Sequence, residues 1–262
     1  MSASRKPVII GAGVVVAALL LGLASYTATR PDDDGPAKPS AISGDSGDSG
    51  SPGASAAPQD DPYQELQALA RRESGDPLSV GRADAPVVMV EYADFQCGYC
   101  GKFARDTEPE LIDKYVESGV LRIEWRNFPI FGEESEAAAR GAWAAGQQGR
   151  FWQFHAAAYA DGAKEKGFGE DRLKELAEQA GVKDLDAFAE DLESEAARKS
   201  VKRDQEEAYA LGATSTPSFL VNGRPISGAQ PMDAFVQAIE AAHQAAPEKG
   251  AEPSGAAGKA GR

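Results

Sequence analysis

The stretch Val87-Val88-Met89-Val90-Glu91-Tyr92-Ala93-Asp94-Phe95-Gln96-Cys97-Gly98-Tyr99-Cys100-Gly101-Lys102-Phe103 holds the two cysteines of this 262-residue chain. Its apolar run over 87–92 has the length and character of a strand covered on both faces, and Lys102-Phe103-Ala104 begins a helical pattern. The cysteines therefore fall where a strand turns into a helix. A helix N-terminus leaves backbone N–H groups unpaired, and its dipole favours an anion there. Cys97 is accordingly expected to ionise more easily than a free cysteine, and Cys100, one turn on, to be more shielded. Glu91 interrupts the strand. By pattern alone it is expected to be exposed at the strand end, because a buried carboxylate is costly; the alternative is a buried carboxyl with a raised pKa beside the cysteines.

Working outward, residues 103–118 read as a helix bent or broken near Pro109, and 121–125 as a second strand, after which Arg126-Asn127-Phe128-Pro129 leaves the sheet. Strand, helix, strand in this order predicts a right-handed parallel crossover. Residues 133–211 read as helical throughout, with segments at 133–148, 151–159, 171–180 and a single long one at 185–211. His155 lies in this block among aromatics and alanines and is read as a packed, hydrogen-bonded residue rather than a catalytic base. The sheet returns at 218–221, Asn222-Gly223 is a hairpin-turn signal, and Arg224-Pro225-Ile226 is the antiparallel return strand. Phe235, Val236 and Ile239 mark a last helix. A short leading helix is expected where Tyr63, Leu66, Leu69 and Ala70 recur at helical spacing.

Both ends differ from this core. Arg5-Lys6 precede an apolar, uncharged run of 21 residues from Val8 to Ala28, about 32 Å long as a helix and enough to cross a hydrocarbon layer of roughly 30 Å. We read residues 1–29 as a membrane anchor, with a cleavable signal peptide as the alternative; either delivers the rest of the chain across the membrane. Residues 30–61, rich in Pro, Gly, Ser and Asp, form a linker, and 247–262 a disordered tail. Residues 62–132 and 212–246 are then two parts of one domain, interrupted by a helical insertion over 133–211. The formal charge of −14 argues against a nucleic-acid partner. Two cysteines and two well-separated histidines cannot make a four-ligand zinc site without carboxylates, and neither a metal nor a cofactor is expected.

The element order is that of an α/β thioredoxin fold with an inserted all-helical domain, and Cys-x-x-Cys in this setting reads as a redox motif. The segment 90–100 resembles the active-site segment of the DsbA-like thiol-disulfide oxidoreductases, in their membrane-anchored or secreted bacterial branch. Phe151-Trp152-Gln153-Phe154-His155 is similar to a helical-insertion motif of that family, and Thr216-Pro217-Ser218-Phe219-Leu220-Val221-Asn222-Gly223 to its cis-proline loop and hairpin. The resemblance covers about residues 76–245. It implies Cys97 as the exposed nucleophile, Cys100 as the resolving thiol and Pro217 as the cis-proline. It further implies that the Thr216 hydroxyl bonds the Cys97 thiolate and that Glu91 is the family's buried acid with a proton-transfer role. The implied partners are reduced exported proteins and a membrane quinone-linked thiol oxidase resembling DsbB or the vitamin K epoxide reductase type. The Gly98-Tyr99 dipeptide departs from the Pro-His of strongly oxidising members, which implies a less acidic Cys97 and a weaker oxidant. A disulfide reductase or isomerase, and a non-catalytic chaperone or scaffold with a structural bridge, stand as alternatives.

Overall fold

The computed structural model describes residues 63–246. Apolar, β-branched and aromatic content makes β2 the centre of a five-stranded sheet. The strands are β1 (Ser79–Val80), β2 (Val87–Ala93), β3 (Leu121–Asn127), β4 (Ser218–Val221) and β5 (Arg224–Ser227), in the order β1-β3-β2-β4-β5. β2 and β3 are parallel, and every other pairing is antiparallel. All seven residues of β2 are buried, as a strand between two covered faces requires.

The helices are α1 (Gln64–Gln67), α2 (Gly98–Asp106), α3 (Glu108–Leu111), α4 (Glu133–Gln147), α5 (Phe151–Ala158), α6 (Glu170–Gln179), α7 (Leu185–Glu193), α8 (Glu195–Ala210) and α9 (Met232–Ala245). On one face of the sheet Val87 and Met89 pack with Phe103 of α2, Phe219 of β4 and Phe235 of α9. Those three rings lie 4.6 to 5.1 Å apart, and each buried side chain of this kind contributes about 1.5–3 kcal/mol. On the other face Val88, Val90 and Tyr92 meet Phe128, Leu220 and Ala208 of α8, with Leu66 and Leu69 against them. Helices α4–α8 follow β3 and precede β4, so the helical block is inserted into the sheet's chain order. Its core joins the site through Phe95, Trp125 and Tyr159.

The hairpin forms at Asn222-Gly223 with φ of 43° and 81°, the left-handed pair of a type I′ turn. A Cβ on Gly223 would lie 2.5 Å from the Tyr63 carbonyl oxygen, so the turn needs glycine for space as well as for φ.

Four local expectations change. β3 continues through Arg126 and Asn127 instead of leaving the sheet, because distant acids partner these polar residues: Arg126 bonds Glu124 and Glu207, and the Asn127 N–H donates to Asp204. The segment 185–211 is two helices, divided where the Ser194 hydroxyl accepts from the Ala197 N–H at 3.0 Å and starts α8. The helix after the cysteines begins earlier, at Gly98; its break falls at Thr107, close to Pro109 as expected, with Pro109 in the first turn of α3 and a π-helical turn over Ile112–Val116. The two-residue β1 was not anticipated. Among the described residues no helix is long and apolar enough to cross a membrane. The expected anchor or signal (1–29), linker (30–61) and tail (247–262) lie outside the described residues.

Candidate functional site

Strand β2 ends at Ala93, and the next residue fixes the approach to the cysteines. The Asp94 carboxylate accepts from the Gln96 N–H (2.8 Å), the Ser135 hydroxyl (2.7 Å) and the Ile130 N–H (2.6 Å). Its carbonyl accepts from the Cys97 N–H and the Tyr159 hydroxyl. The chain then enters α2 with Cys97 as the N-cap residue, its sulfur accepting from the Cys100 N–H at 3.3 Å. From the opposite side the Thr216 carbonyl accepts from the Cys97 thiol at 3.3 Å. The Thr216–Pro217 peptide bond is cis, and it sits at the entrance to β4.

Both cysteines are free thiols. The Cys97 thiol is pulled down to about 6, most strongly by the Cys100 thiol donating to it; burial opposes this, and the Thr216 hydroxyl and the Cys100 and Tyr99 N–H groups add to it. Cys100 moves the other way, well above the usual thiol range, because burial disfavours its anion and Cys97 holds its proton. The pair is thus polarised at neutral pH into one thiolate and one thiol without a histidine between the cysteines.

One expectation is corrected here. Cys97 is not exposed: only 5% of its surface is open, because the first turn of α2 and the Thr216 carbonyl enclose it. Cys97 lines a cavity of about 120 Å³ together with Gly98, Gly101, Arg105, Tyr159 and Lys164. The Thr216 hydroxyl is buried and has no hydrogen-bond partner among the described residues while Cys97 is a thiol, and it favours the Cys97 thiolate, the state in which the resemblance implies the bond.

Glu91 is buried, against the strand-end reading. Its register partners are Trp125 on β3 and Phe219 on β4, so its carboxyl points to the α2 face of the sheet between large rings. Burial, then the charges of Glu108 and Cys97, raise its pKa well above the carboxylate range. Glu108, at the start of α3, is raised by burial too. Its Oε2 lies 3.6 Å from Nδ1 of His155, a residue packed against Phe95, Trp125, Trp152 and Tyr159. His155 is therefore a packing residue as expected, but not a satisfied one: its Nε2 has no partner among the described residues.

A family profile described as thioredoxin matches residues 73–241. The probable disulfide bond formation protein D of Bacillus cereus is 32% identical over 150 residues, 55% of this chain and 69% of that protein. The chain belongs to the thioredoxin family, among its DsbA-like thiol-disulfide oxidoreductases. A protein of Salinispora tropica named Na(+)/H(+) antiporter NhaA 3 is 34% identical over 183 residues, 66% of this chain but only 26% of that protein, so the chain spans about a quarter of this longer relative. Oxidised BdbD of Bacillus subtilis has the same fold, with a TM-score of 0.60 at 24% identity over 65% of this chain and 94% of that one.

In this DsbA-like chain, Cys97, Cys100 and Thr216-Pro217 meet at one place, with Glu91 on the strand beneath them. Sequence reading passed over Asp94, Glu108 and Tyr159 and set His155 aside. Asp94 had a legible signal, a carboxylate three residues before Cys97 where an Asx-type turn is favoured. Glu108 had none, since it reads as an ordinary acid in the first turn of a helix.

Proposed function

We propose that the chain is an extracytoplasmic thiol-disulfide oxidase that introduces disulfides into exported proteins through Cys97 and Cys100. One observation carries the reading: Cys97 is the N-cap of α2, its sulfur accepting the Cys100 N–H at 3.3 Å, where an anion is favoured, while Cys100, one turn on, is fully buried, where the neutral thiol is favoured. A dithiol whose nucleophile is stabilised as thiolate is stabilised in its reduced form, and its disulfide is correspondingly oxidising.

In the exchange, a substrate thiolate attacks the Cys97 sulfur of the oxidised pair, and the S–S bond to Cys100 breaks. Cys100 leaves as a thiolate and takes up a proton, for which Glu91 is the nearby acid. A second substrate thiolate then attacks the substrate sulfur of the mixed disulfide, and Cys97 departs as the stable thiolate. The substrate loses two electrons and the pair gains them. Thr216 and the N–H-free Pro217 flank the reacting sulfur, and an extended substrate segment pairs with the Thr216 backbone as it reaches that sulfur. Reoxidation falls to a membrane quinone-linked thiol oxidase resembling DsbB or the vitamin K epoxide reductase type, reached by a catalytic domain held at the membrane by residues 1–29 or released after their cleavage.

The test is oxidation of a reduced, unfolded substrate by the purified protein. Cys97→Ser abolishes turnover, whereas Cys100→Ser accumulates mixed disulfides. A Cys97→Ser protein that still oxidises the substrate removes the reading. A Cys97–Cys100 pair found largely reduced in cells turns it to reductase or isomerase.

A further inference from the structure

Cys97 shares its cavity of about 120 Å³ with two cations from separate elements. Arg105 comes from the last turn of α2, and Lys164 from a single 3-10 turn, Lys164–Lys166, between α5 and α6. A Cβ on Gly98, the residue after Cys97, would lie 3.6 Å from Lys164 Nζ, so the ammonium stands against the first turn of α2. A Cβ on Gly101 would fall 2.9 Å from Arg105 Nη1, so a larger residue there would push the guanidinium aside. The two glycines that flank Tyr99 and Cys100 thus make room for both charges.

The two cations are held differently. Arg105 Nη1 donates to the Tyr159 carbonyl at 2.7 Å, and its Nε lies 3.5 Å from Oδ1 of Asp161. The Lys164 ammonium has neither a hydrogen bond nor an ion pair among the described residues. Asp161 and Glu165 also border the cavity. Asp161 is committed to Arg105, and Glu165, next on the 3-10 turn, leaves about 120° around from Lys164. A solvent-facing lysine without a partner is ordinary on a surface. This one differs in standing beside the reacting cysteine, in a chain whose formal charge of −14 repels anions in general. Size decides what can enter: cofactor-sized ligands occupy about 300–1,000 Å³, so this cavity takes one short side chain.

We propose that the cavity is a substrate subsite in which Lys164, with Arg105 as the second cation of its wall, receives a carboxylate carried beside the attacking cysteine. Substrate cysteines next to an acidic residue are thereby accepted faster than those next to a lysine. Lys164 sets specificity by touching the substrate, and takes no part in moving protons or sulfur. The inference deepens the exchange reading and rests on it.

The covalent steps are unchanged. A substrate thiolate attacks the Cys97 sulfur, the bond to Cys100 breaks, and Cys100 leaves and is protonated; a second substrate thiolate then releases the substrate disulfide and the Cys97 thiolate. Two substrate thiols are oxidised and one protein disulfide is reduced. The subsite acts on the first attack, by holding the anionic neighbour of the incoming sulfur.

The test mixes the oxidised full-length protein with three N-acetylated dipeptide amides, in which aspartate, asparagine or lysine precedes the cysteine. The second-order rate of Cys97–Cys100 reduction is read by acid quenching and thiol labelling. For each peptide the ratio of parent to variant rate cancels the nucleophilicity of the peptide's own thiol. Lys164→Gln should slow the aspartate peptide about two- to fivefold, the worth of one exposed ion pair, and leave the asparagine peptide at the parent rate. Lys164→Arg should keep the parent order of the three peptides, and Lys164→Glu should reverse aspartate and lysine. Added salt should shrink the differences. Lys166→Gln removes the same charge two residues away, outside the cavity, and should keep the parent order. The proposal is overturned if Lys164→Gln slows all three peptides alike with a shifted alkylation midpoint of Cys97, which would make Lys164 a partner of the thiolate. It is overturned too if the ratios stay at unity, or if Lys166→Gln changes them as much. If no peptide reduces the cysteine pair, the exchange reading fails and takes this one with it; normal reduction without dependence on peptide charge removes the subsite alone.

Discussion

The two faces of the central sheet bury charge in opposite ways. On the face covered by α8, Glu124 of β3 accepts from Arg122 and Arg126 at 2.8 Å each and from the backbone N–H groups of Arg71 and Arg72. Arg71 reaches Asp204 and Glu207, and Glu207 also accepts from the Tyr92 hydroxyl at 2.7 Å. Every acid in that network has a cation or a donor. Burial alone would raise Glu124, but the hydrogen bonds and charges of the arginines pull it down to about 2. On the face covered by α2 and α5, Glu91, Glu108 and His155 have almost no partners and are held neutral. Complete pairing ties the segment around Arg71, strand β3 and helix α8 together at a fixed charge. Incomplete pairing leaves a group whose charge can change when a neighbouring sulfur gains or loses a proton.

Removing one member of each cluster should therefore give stability changes of opposite sign. Glu124→Leu leaves Arg122 and Arg126 buried without their anion, and should cost about 3–5 kcal/mol in urea unfolding. Glu91→Leu removes a buried carboxyl that has no hydrogen-bond partner among the described residues, and should gain about 1–3 kcal/mol while slowing thiol exchange. The pH dependence separates them further. Glu124 is depressed in the folded state, so the stability it contributes is present above the unfolded carboxyl range and is lost as pH falls towards 2. Glu91 is raised, so the folded state binds more protons than the unfolded one above about 4.5, and stability declines as pH rises from there. The advantage of Glu91→Leu should consequently be small at acid pH and grow towards neutrality. Equal effects of the two variants at every pH would erase the distinction between the faces.

The histidine gives a smaller effect of a third kind. Its native pKa of about 3 lies below its ordinary 6.5, so between those values the unfolded chain binds a proton that the folded one refuses, and stability is lost as pH falls through that window. His155→Phe, which keeps a ring in contact with Trp125 and Tyr159, should change stability by less than about 1 kcal/mol at pH 7. At pH 5 it should be more stable than the parent by roughly 2 kcal/mol, at about 1.36 kcal/mol for each unit below 6.5. A parallel pair of stability-against-pH curves would mean that His155 takes up a proton in the folded protein as readily as in the unfolded chain.

These clusters also mark the limit of what the sequence discloses. The strand, the Cys-x-x-Cys turn, the following helix and the Asn222-Gly223 hairpin were legible because each is written in contiguous residues by apolar pattern or turn chemistry. The thioredoxin order followed from them. Arg126 and Asn127 read as the exit from β3 because their partners, Glu207 and Asp204, lie some eighty residues away. Glu91 read as exposed for the converse reason: a lone carboxylate normally finds water, and nothing local tells that β3 and β4 enclose it with Trp125 and Phe219. The break at Ser194 was readable, since a serine followed by Glu-Ala-Ala is a good N-cap, but the helical pattern continues across it and hides the signal. What remained hidden is burial of polar groups, which depends on contacts across the fold and leaves no periodicity.

The smallest test asks whether unpaired polar groups next to the sulfur serve chemistry rather than folding. Thr216 Oγ1 is buried without a hydrogen-bond partner among the described residues, while the Thr216 carbonyl already receives the Cys97 thiol. Thr216→Val removes the hydroxyl and keeps the branched shape, so backbone and packing should hold and stability should change by less than about 1 kcal/mol, with a gain more natural than a loss. The Cys97 thiol is different. The hydroxyl is one of several groups that pull the Cys97 thiol down to about 6, behind the Cys100 thiol, so the alkylation midpoint of Cys97 should rise by a few tenths of a unit from the parent's, since a shift of one unit corresponds to about 1.4 kcal/mol. A variant that loses stability without moving the midpoint would make Thr216 a structural residue of the loop. A raised midpoint at unchanged stability would place its hydroxyl with Glu91, among groups whose unmet hydrogen bonds are kept for the state in which the neighbouring sulfur carries charge.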